Sequence, residues 1–188
     1  MFIGVDCGTQ GTKALVIDDS GRVCGRGHAA HSLIERDTGA REQHPSIWVD
    51  AMVAAVRMAL KEAALPADAM RCLGISGQQH GLAVLDKSGA VIRPAKLWCD
   101  TETAPDNERI VAALGGAAAW FDKVGIIPLT GYTISKLAFL AGREPDNFAR
   151  IAHILLPHDY LNHWLTGRFV AEYGDASGTG FFDVRKRA

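Results

Sequence analysis

The shortages in this 188-residue chain narrow its character first. No apolar stretch approaches the roughly 20 residues that cross a bilayer, and the first residues lack the basic-then-apolar order of a secretory signal. The expectation is a cytoplasmic protein with no membrane partner. An excess of one charge is also missing: 20 Lys and Arg stand against 21 Asp and Glu, for a formal net charge of −1, so no basic surface points to nucleic acid. Aromatic residues, at 7%, are too few and scattered for a base-stacking platform. The four cysteines, Cys7, Cys24, Cys72 and Cys99, form no C-x-x-C pair and have no histidine pattern nearby. Zinc and a disulfide framework are therefore not expected, and the cysteines read as buried free thiols. An apolar fraction of 48% supplies one sizeable core, and the length suits one domain and is short for two.

Among what is present, the string GVDCGTQGTK at Gly4 to Lys13 organises the rest. An apolar run through Phe2, Ile3 and Val5 ends on Asp6, a Gly-rich turn follows, and Lys13 opens a second apolar run to Ile17. That pattern predicts a buried strand, a tight turn and a second strand pairing back on the first. Glycines at such a turn leave backbone N–H groups open to anionic oxygens. Asp6 could then hold a metal and Lys13 could neutralise a phosphate. The spacing does not fit G-x-x-x-x-G-K-[ST], and a strand follows where that motif needs a helix. A plain hairpin with an exposed Asp and Lys fits this stretch equally well.

Further along, Arg22 to Ala30 predicts a third strand and the polar segment Ser32 to Gln43 a loop. Pro45 opens a helix whose apolar face carries Trp48, Met52, Ala55, Val56, Ala59 and Leu60. Cys72 to Ser76 predicts another strand, interrupted by Gly77, Gln78, Gln79, His80 and Gly81 before Leu82 to Leu85. The pattern V-x-D-x-S-G-x-V occurs at Val16 to Val23 and again at Val84 to Val91, a recurrence of turn chemistry. Helices are expected from near Thr103 to Leu114, over Ile134 to Ala141 with Gly142 as the stop, over Pro145 to Arg150, and over Pro157 to Leu165 stopped by Gly167. Short strands are expected at Lys96 to Trp98 and Ile151 to Leu156. Hairpins followed by helices interleaved with strands give an α/β domain with a mixed sheet flanked by helices.

Six strings, read together and in order, extend the picture: GVDCGTQGTK, GISGQQHG at Gly74 to Gly81, LWCDTETA at Leu97 to Ala104, GYTISKL at Gly131 to Leu137, LLPHDYLNHWLTG at Leu155 to Gly167, and DASGTGFFDV at Asp175 to Val184. With these the chain resembles the amino-terminal domain of the FGGY family of carbohydrate kinases over residues 1–188, its xylulose kinases most of all. The resemblance implies an RNase H-like domain of the actin-like ATPase fold, with ATP and Mg2+ as cofactors and a small sugar as substrate. It also implies a partner absent from this sequence: the family's carboxy-terminal kinase domain, which carries the general-base Asp. The uncovered cleft face is then open to self-association as a homodimer.

Residue by residue, the resemblance places Asp6 near the magnesium and the transferring phosphate, and Thr9, Gln10, Gly11 and Lys13 at the nucleotide phosphates. Gln79 and His80 match sugar-contacting positions, and Trp98 matches an aromatic lying on the carbon face of the substrate, though a core tryptophan is an equal reading. Asp100 falls with them at the substrate wall, while Glu102 departs from the family's pattern. Lys136 is implied to help orient the site, and Asp159 and Asp175 to serve structural hydrogen bonding. Gluconate kinases are the nearest alternative, glycerol kinases fit less well, and a non-catalytic scaffold is the reading from a different class.

Overall fold

The computed structural model describes residues 1–187, so Ala188, the last residue of the expected domain, lies outside the described residues. Phe2–Cys7 (β1), Gly11–Ile17 (β2) and Val23–Ala30 (β3) form the antiparallel meander that the sequence predicts. Alternate side chains point inward: Ile3, Val5, Cys7, Ala14 and Val16 are buried, while Gly4, Asp6, Lys13 and Leu15 are exposed. This period of two gives the sheet one covered and one open face.

The segment expected as a loop instead carries two short strands, Ile34–Glu35 (β4) and Arg41–Gln43 (β5), which pair with each other. The helix Pro45–Ala63 (α1) follows, capped by the His44 side chain accepting from the Ser46 N–H. Trp48, Met52, Ala55 and Ala59 form its buried stripe against the sheet. The approach to β3 is close. A Cβ built on Gly25 would lie 2.1 Å from the Ala59 carbonyl oxygen, and one on Gly27 only 1.9 Å from that of Ala55.

Cys72–Gly77 (β6) then joins the meander parallel to β1, giving the order β3-β2-β1-β6. Ala83–Leu85 (β7) and Ala95–Lys96 (β8) lie beyond it, β8 pairing with β5. The helices Ala104–Ala113 (α2) and Thr133–Arg143 (α4) are as expected at their starts. Ala117–Val124 (α3) was not expected, although Trp120 and Val124 stand one helical turn apart in it; none of its residues is buried. Gly142 does not stop α4. The helix runs on to Arg143 and ends before Pro145, where the proline ring disfavours helical backbone in the preceding residue. Pro145–Ala149 (α5), His153–Leu155 (β9, paired with β7), Pro157–Thr166 (α6) and Tyr173–Ala176 (α7) complete the order.

The recurring turn is the same in both places. Asp18 accepts from the N–H and hydroxyl of Ser20 and the N–H of Arg22, and Asp86 does so from Ser88 and the N–H of Ala90. All four cysteines are free, but only Cys7 is buried; Cys72 is exposed because it falls on the outward parity of β6.

Candidate active site

Strand register sets a row of side chains across the open face. Asp6 lies opposite Lys13 on β2 and Ser76 on β6, and Lys13 lies opposite His28 on β3. Neither the Asp6 carboxylate nor the Lys13 ammonium forms an ion pair with another side chain among the described residues. Both line a cleft of about 520 Å³ with Gly8, Thr9, Gln10, Gly11, His28, Leu33, Trp98 and Cys99. Both also line an adjoining hollow of about 610 Å³ over Gly4, Leu15, Gly74, Ile75 and Ser76.

The turn between β1 and β2 is closed by the Gly8 N–H donating to the Gly11 carbonyl at 3.0 Å. One expected anion donor is therefore used within the turn. The N–H groups of Thr9 and Gln10 have no protein acceptor among the described residues. Gly11 has a second reason to be glycine: a Cβ there would lie 2.7 Å from His28 Nε2 and 2.8 Å from the Ala29 carbonyl oxygen. Its role is close strand approach as much as an open backbone.

The residues expected at the sugar follow directly from β6. Gln79 is exposed and its Nε2 donates to Asp175 Oδ1 at 2.8 Å. His80 is half-buried in left-handed backbone, φ 60°, with its ring 4.6 Å from that of Tyr132. Burial holds its pKa below the usual imidazole value, with Lys136 acting in the same sense. Trp98 is 51% exposed, so it is not a core tryptophan, and its Nε1 donates to Thr9 Oγ1 at 2.9 Å.

Asp100 needs correction as a substrate-wall residue. It is 1% exposed, and its Oδ2 accepts from the Arg41 N–H at 2.9 Å and Lys96 Nζ at 3.0 Å. It belongs to a buried ion network in which Lys96 also meets Glu42 and Glu102, and Glu42 meets Arg36 and Arg93. Glu102, the departure from the family pattern, finds its place there. Asp159 accepts from the Leu156 N–H at the start of α6, and Asp175 faces His158 Nδ1 at 3.3 Å. Both take part in hydrogen bonds within the fold, Asp159 at the start of α6 and Asp175 with Gln79, as expected.

Lys136 is fully buried, and its Nζ donates to the carbonyls of Gly131 and Tyr132 at 2.6 and 3.1 Å. It thereby holds the loop whose Tyr132 ring lies against His80. Burial lowers its pKa from 10.5 to about 7, against the opposing pull of Asp100. Between these values the unfolded chain binds more protons than the folded one, so stability rises with pH. The expected result is a gain of about 2 kcal/mol between pH 7 and pH 8.5 that is missing in Lys136→Met, measured by urea unfolding. An equal gain in the variant would refute the assignment. The range stays below pH 9 because burial raises the Cys7 thiol to about 11, which acts with the opposite sign.

Two buried residues escaped sequence reasoning. Gln43 and Gln78 are 0% and 8% exposed, and both bond to Thr9. The one available signal was a glutamine two residues before the Pro45 helix start and another immediately before the Gln79-His80 pair; neither separates a buried hub from a surface polar residue.

A meander extended by a parallel strand, with a helix across one face and a turn beside a strand-end carboxylate, defines an RNase H-like domain of the actin-like ATPase fold. The chain superposes on a xylulose kinase from Bifidobacterium adolescentis with a TM-score of 0.84 and 33% identity, covering 100% of this chain and 40% of that one. Residues 1–188 match the amino-terminal domain of the FGGY family of carbohydrate kinases, and the chain belongs to that family. It is similar to xylulose kinases from Haemophilus influenzae (53% identity, 100% of this chain, 39% of the relative) and Streptomyces rubiginosus (44%, 97% and 37%). It thus spans under two fifths of the length of these relatives.

Proposed function

We propose that this chain is the sugar-binding and phosphate-cradling domain of an ATP-dependent D-xylulose kinase, which transfers the γ-phosphoryl group to the hydroxyl at carbon five. The observation that carries this reading is the unpaired Asp6 and Lys13 side by side on the open sheet face, one strand from the Gln79 and His80 segment. An exposed carboxylate free of internal partners is ready for a metal, and Mg2+ takes one or two protein carboxylates with phosphate oxygens and water completing its shell. Asp6 alone fits that requirement. Bound there, Mg2+ would neutralise phosphate charge.

Thr9, Gln10 and Gly11 would meet the nucleotide phosphates through the turn, and Lys13 would add a cation. Phosphoryl transfer depends on alignment and charge stabilisation more than on covalent help, so these parts suit it. The Gln79 amide has its Nε2 committed to Asp175, which can only accept, so its carbonyl oxygen is left to accept from a sugar hydroxyl. Trp98 offers an apolar face to the sugar carbons. In the reaction the sugar oxygen attacks the γ-phosphorus, the bond to the bridging oxygen of ADP breaks, and the hydroxyl proton passes to a base on the carboxy-terminal domain. The 188-residue chain alone is therefore a binder without turnover.

The test compares D-xylulose, D-gluconate and glycerol as acceptors for an intact kinase with this chain as its amino-terminal domain. D-xylulose is expected to give the highest kcat/KM, and a clear preference for gluconate overturns the substrate assignment. Enzyme-like turnover by the 188-residue chain alone would overturn the placing of the base.

A further inference from the structure

The side chains behind the β1–β2 turn form a chain of hydrogen bonds whose direction is fixed throughout. Trp48 Nε1, in α1, donates to Gln43 Oε1 at 2.8 Å, and Gln78 Nε2 donates to the same oxygen at 3.1 Å. Gln43 Nε2 donates to the carbonyls of Thr9 at 2.7 Å and Ser32 at 3.0 Å. Thr9 Oγ1 donates to Gln78 Oε1 at 3.2 Å and accepts from Trp98 Nε1 at 2.9 Å. An indole can only donate, so the two tryptophans at the ends leave one arrangement for the two amides and the hydroxyl between them. Gln43 uses all four of its hydrogen-bonding positions and is fully buried.

We propose that Gln43 is a positioning residue that locks the Gly8 to Gly11 turn, the Gln78 end of β6 and the Trp98 indole into one rigid unit. Its two donor bonds tie the turn at Thr9 to the segment after β3 at Ser32, and its acceptor bond to Gln78 pins the strand leading to Gln79 and His80. The two walls of the cleft therefore cannot shift independently. The consequence for phosphoryl transfer rests on the proposed kinase reading; the mechanical coupling does not.

The experiment follows the Trp98 indole N–H resonance in 15N-labelled chain, identified by its loss in Trp98→Phe. Gln43→Glu keeps the acceptor for Trp48 and Gln78 but cannot donate to Thr9 and Ser32. Gln78→Met removes the link to Thr9. Both variants are expected to move the Trp98 signal toward that of the exposed Trp164, although neither changes a residue that touches Trp98. Thr9→Val should move it as well and Thr9→Ser should restore it. A Trp98 signal unmoved in Gln43→Glu and Gln78→Met, with Thr9→Val moving it, overturns the proposal. If Gln43→Glu fails to fold, Gln78→Met decides alone.

In an intact kinase, Gln43→Glu is expected to lower kcat about 30-fold with the sugar KM within threefold, since a misplacement of about 1 Å can cost about 100-fold. An unchanged kcat alongside a shifted indole signal overturns the catalytic consequence. Absence of phosphoryl transfer in the unsubstituted kinase would instead sink the kinase reading, while the indole measurement still decides the coupling.

Discussion

Asp6→Asn in an intact kinase is expected to lower kcat by about 1,000-fold, the scale on which a preorganised charge-stabilising group acts, while leaving the melting temperature almost unchanged. The two halves of this expectation have different origins. Asp6 is exposed at the end of β1 and forms no ion pair with another side chain among the described residues, so the fold loses little when its charge is removed. The cleft loses the carboxylate proposed to hold Mg2+ against the phosphates. The sugar KM should stay within a few-fold because Gln79, His80 and Trp98 are untouched. Steady-state kinetics and a thermal melt on the same preparation separate the effects. Activity within tenfold of the parent would refute the placing of Asp6 at the reacting phosphate.

Gly27→Val is expected to unfold the domain. The valine Cβ would arrive 1.9 Å from the Ala55 carbonyl oxygen and 2.9 Å from the Ala59 nitrogen. These are backbone atoms of α1 and cannot rotate aside. The helix would have to lift from β3, opening the core that holds Trp48 and Met52. The expected loss is about 4 kcal/mol or more, at the upper end for one substitution and comparable with the whole stability of many domains. Gly4→Ala is the control: no atom lies within 4 Å of a Cβ there, and the residue faces outward. Circular dichroism on both variants checks the expectation, and a melting temperature for Gly27→Val within about 5 °C of the parent would show that the contact can relax.

The elements legible in the sequence are those whose signal is local. The meander could be read from apolar runs and turn residues, α1 from Pro45 and its apolar stripe, and α6 from Pro157 and Gly167, because each rests on neighbours in the chain. The strands β4 and β5 could not, and the strand expected at Lys96 to Trp98 lies instead at Ala95–Lys96, β8. They carry Glu35, Arg41, Glu42, Gln43 and Lys96, and what holds them is an ion network assembled from residues 36 to 102, which looks like solvent-exposed charge until it is folded. The candidate site divides the same way. Asp6 and Lys13 flank a recognisable turn and lie together as expected. Asp100 sits two residues from Trp98, yet one side chain is buried and the other is half in solvent, a difference that the local string does not encode. Gln43 and Gln78 depend wholly on contacts between distant segments.

The parallel seating of β6 beside β1 also fixes an order of events during folding. β1, β2 and β3 pair through short turns and meet early, whereas Asp6 and Ser76 become neighbours only after the 69 intervening positions have been gathered in. Pairings between distant positions pay their loop-closure entropy late. The turn between β1 and β2 can therefore close as a hairpin before β6 arrives, and the cleft is complete only once still more distant partners, Trp98 on Thr9 and Asp175 on Gln79, have been brought in.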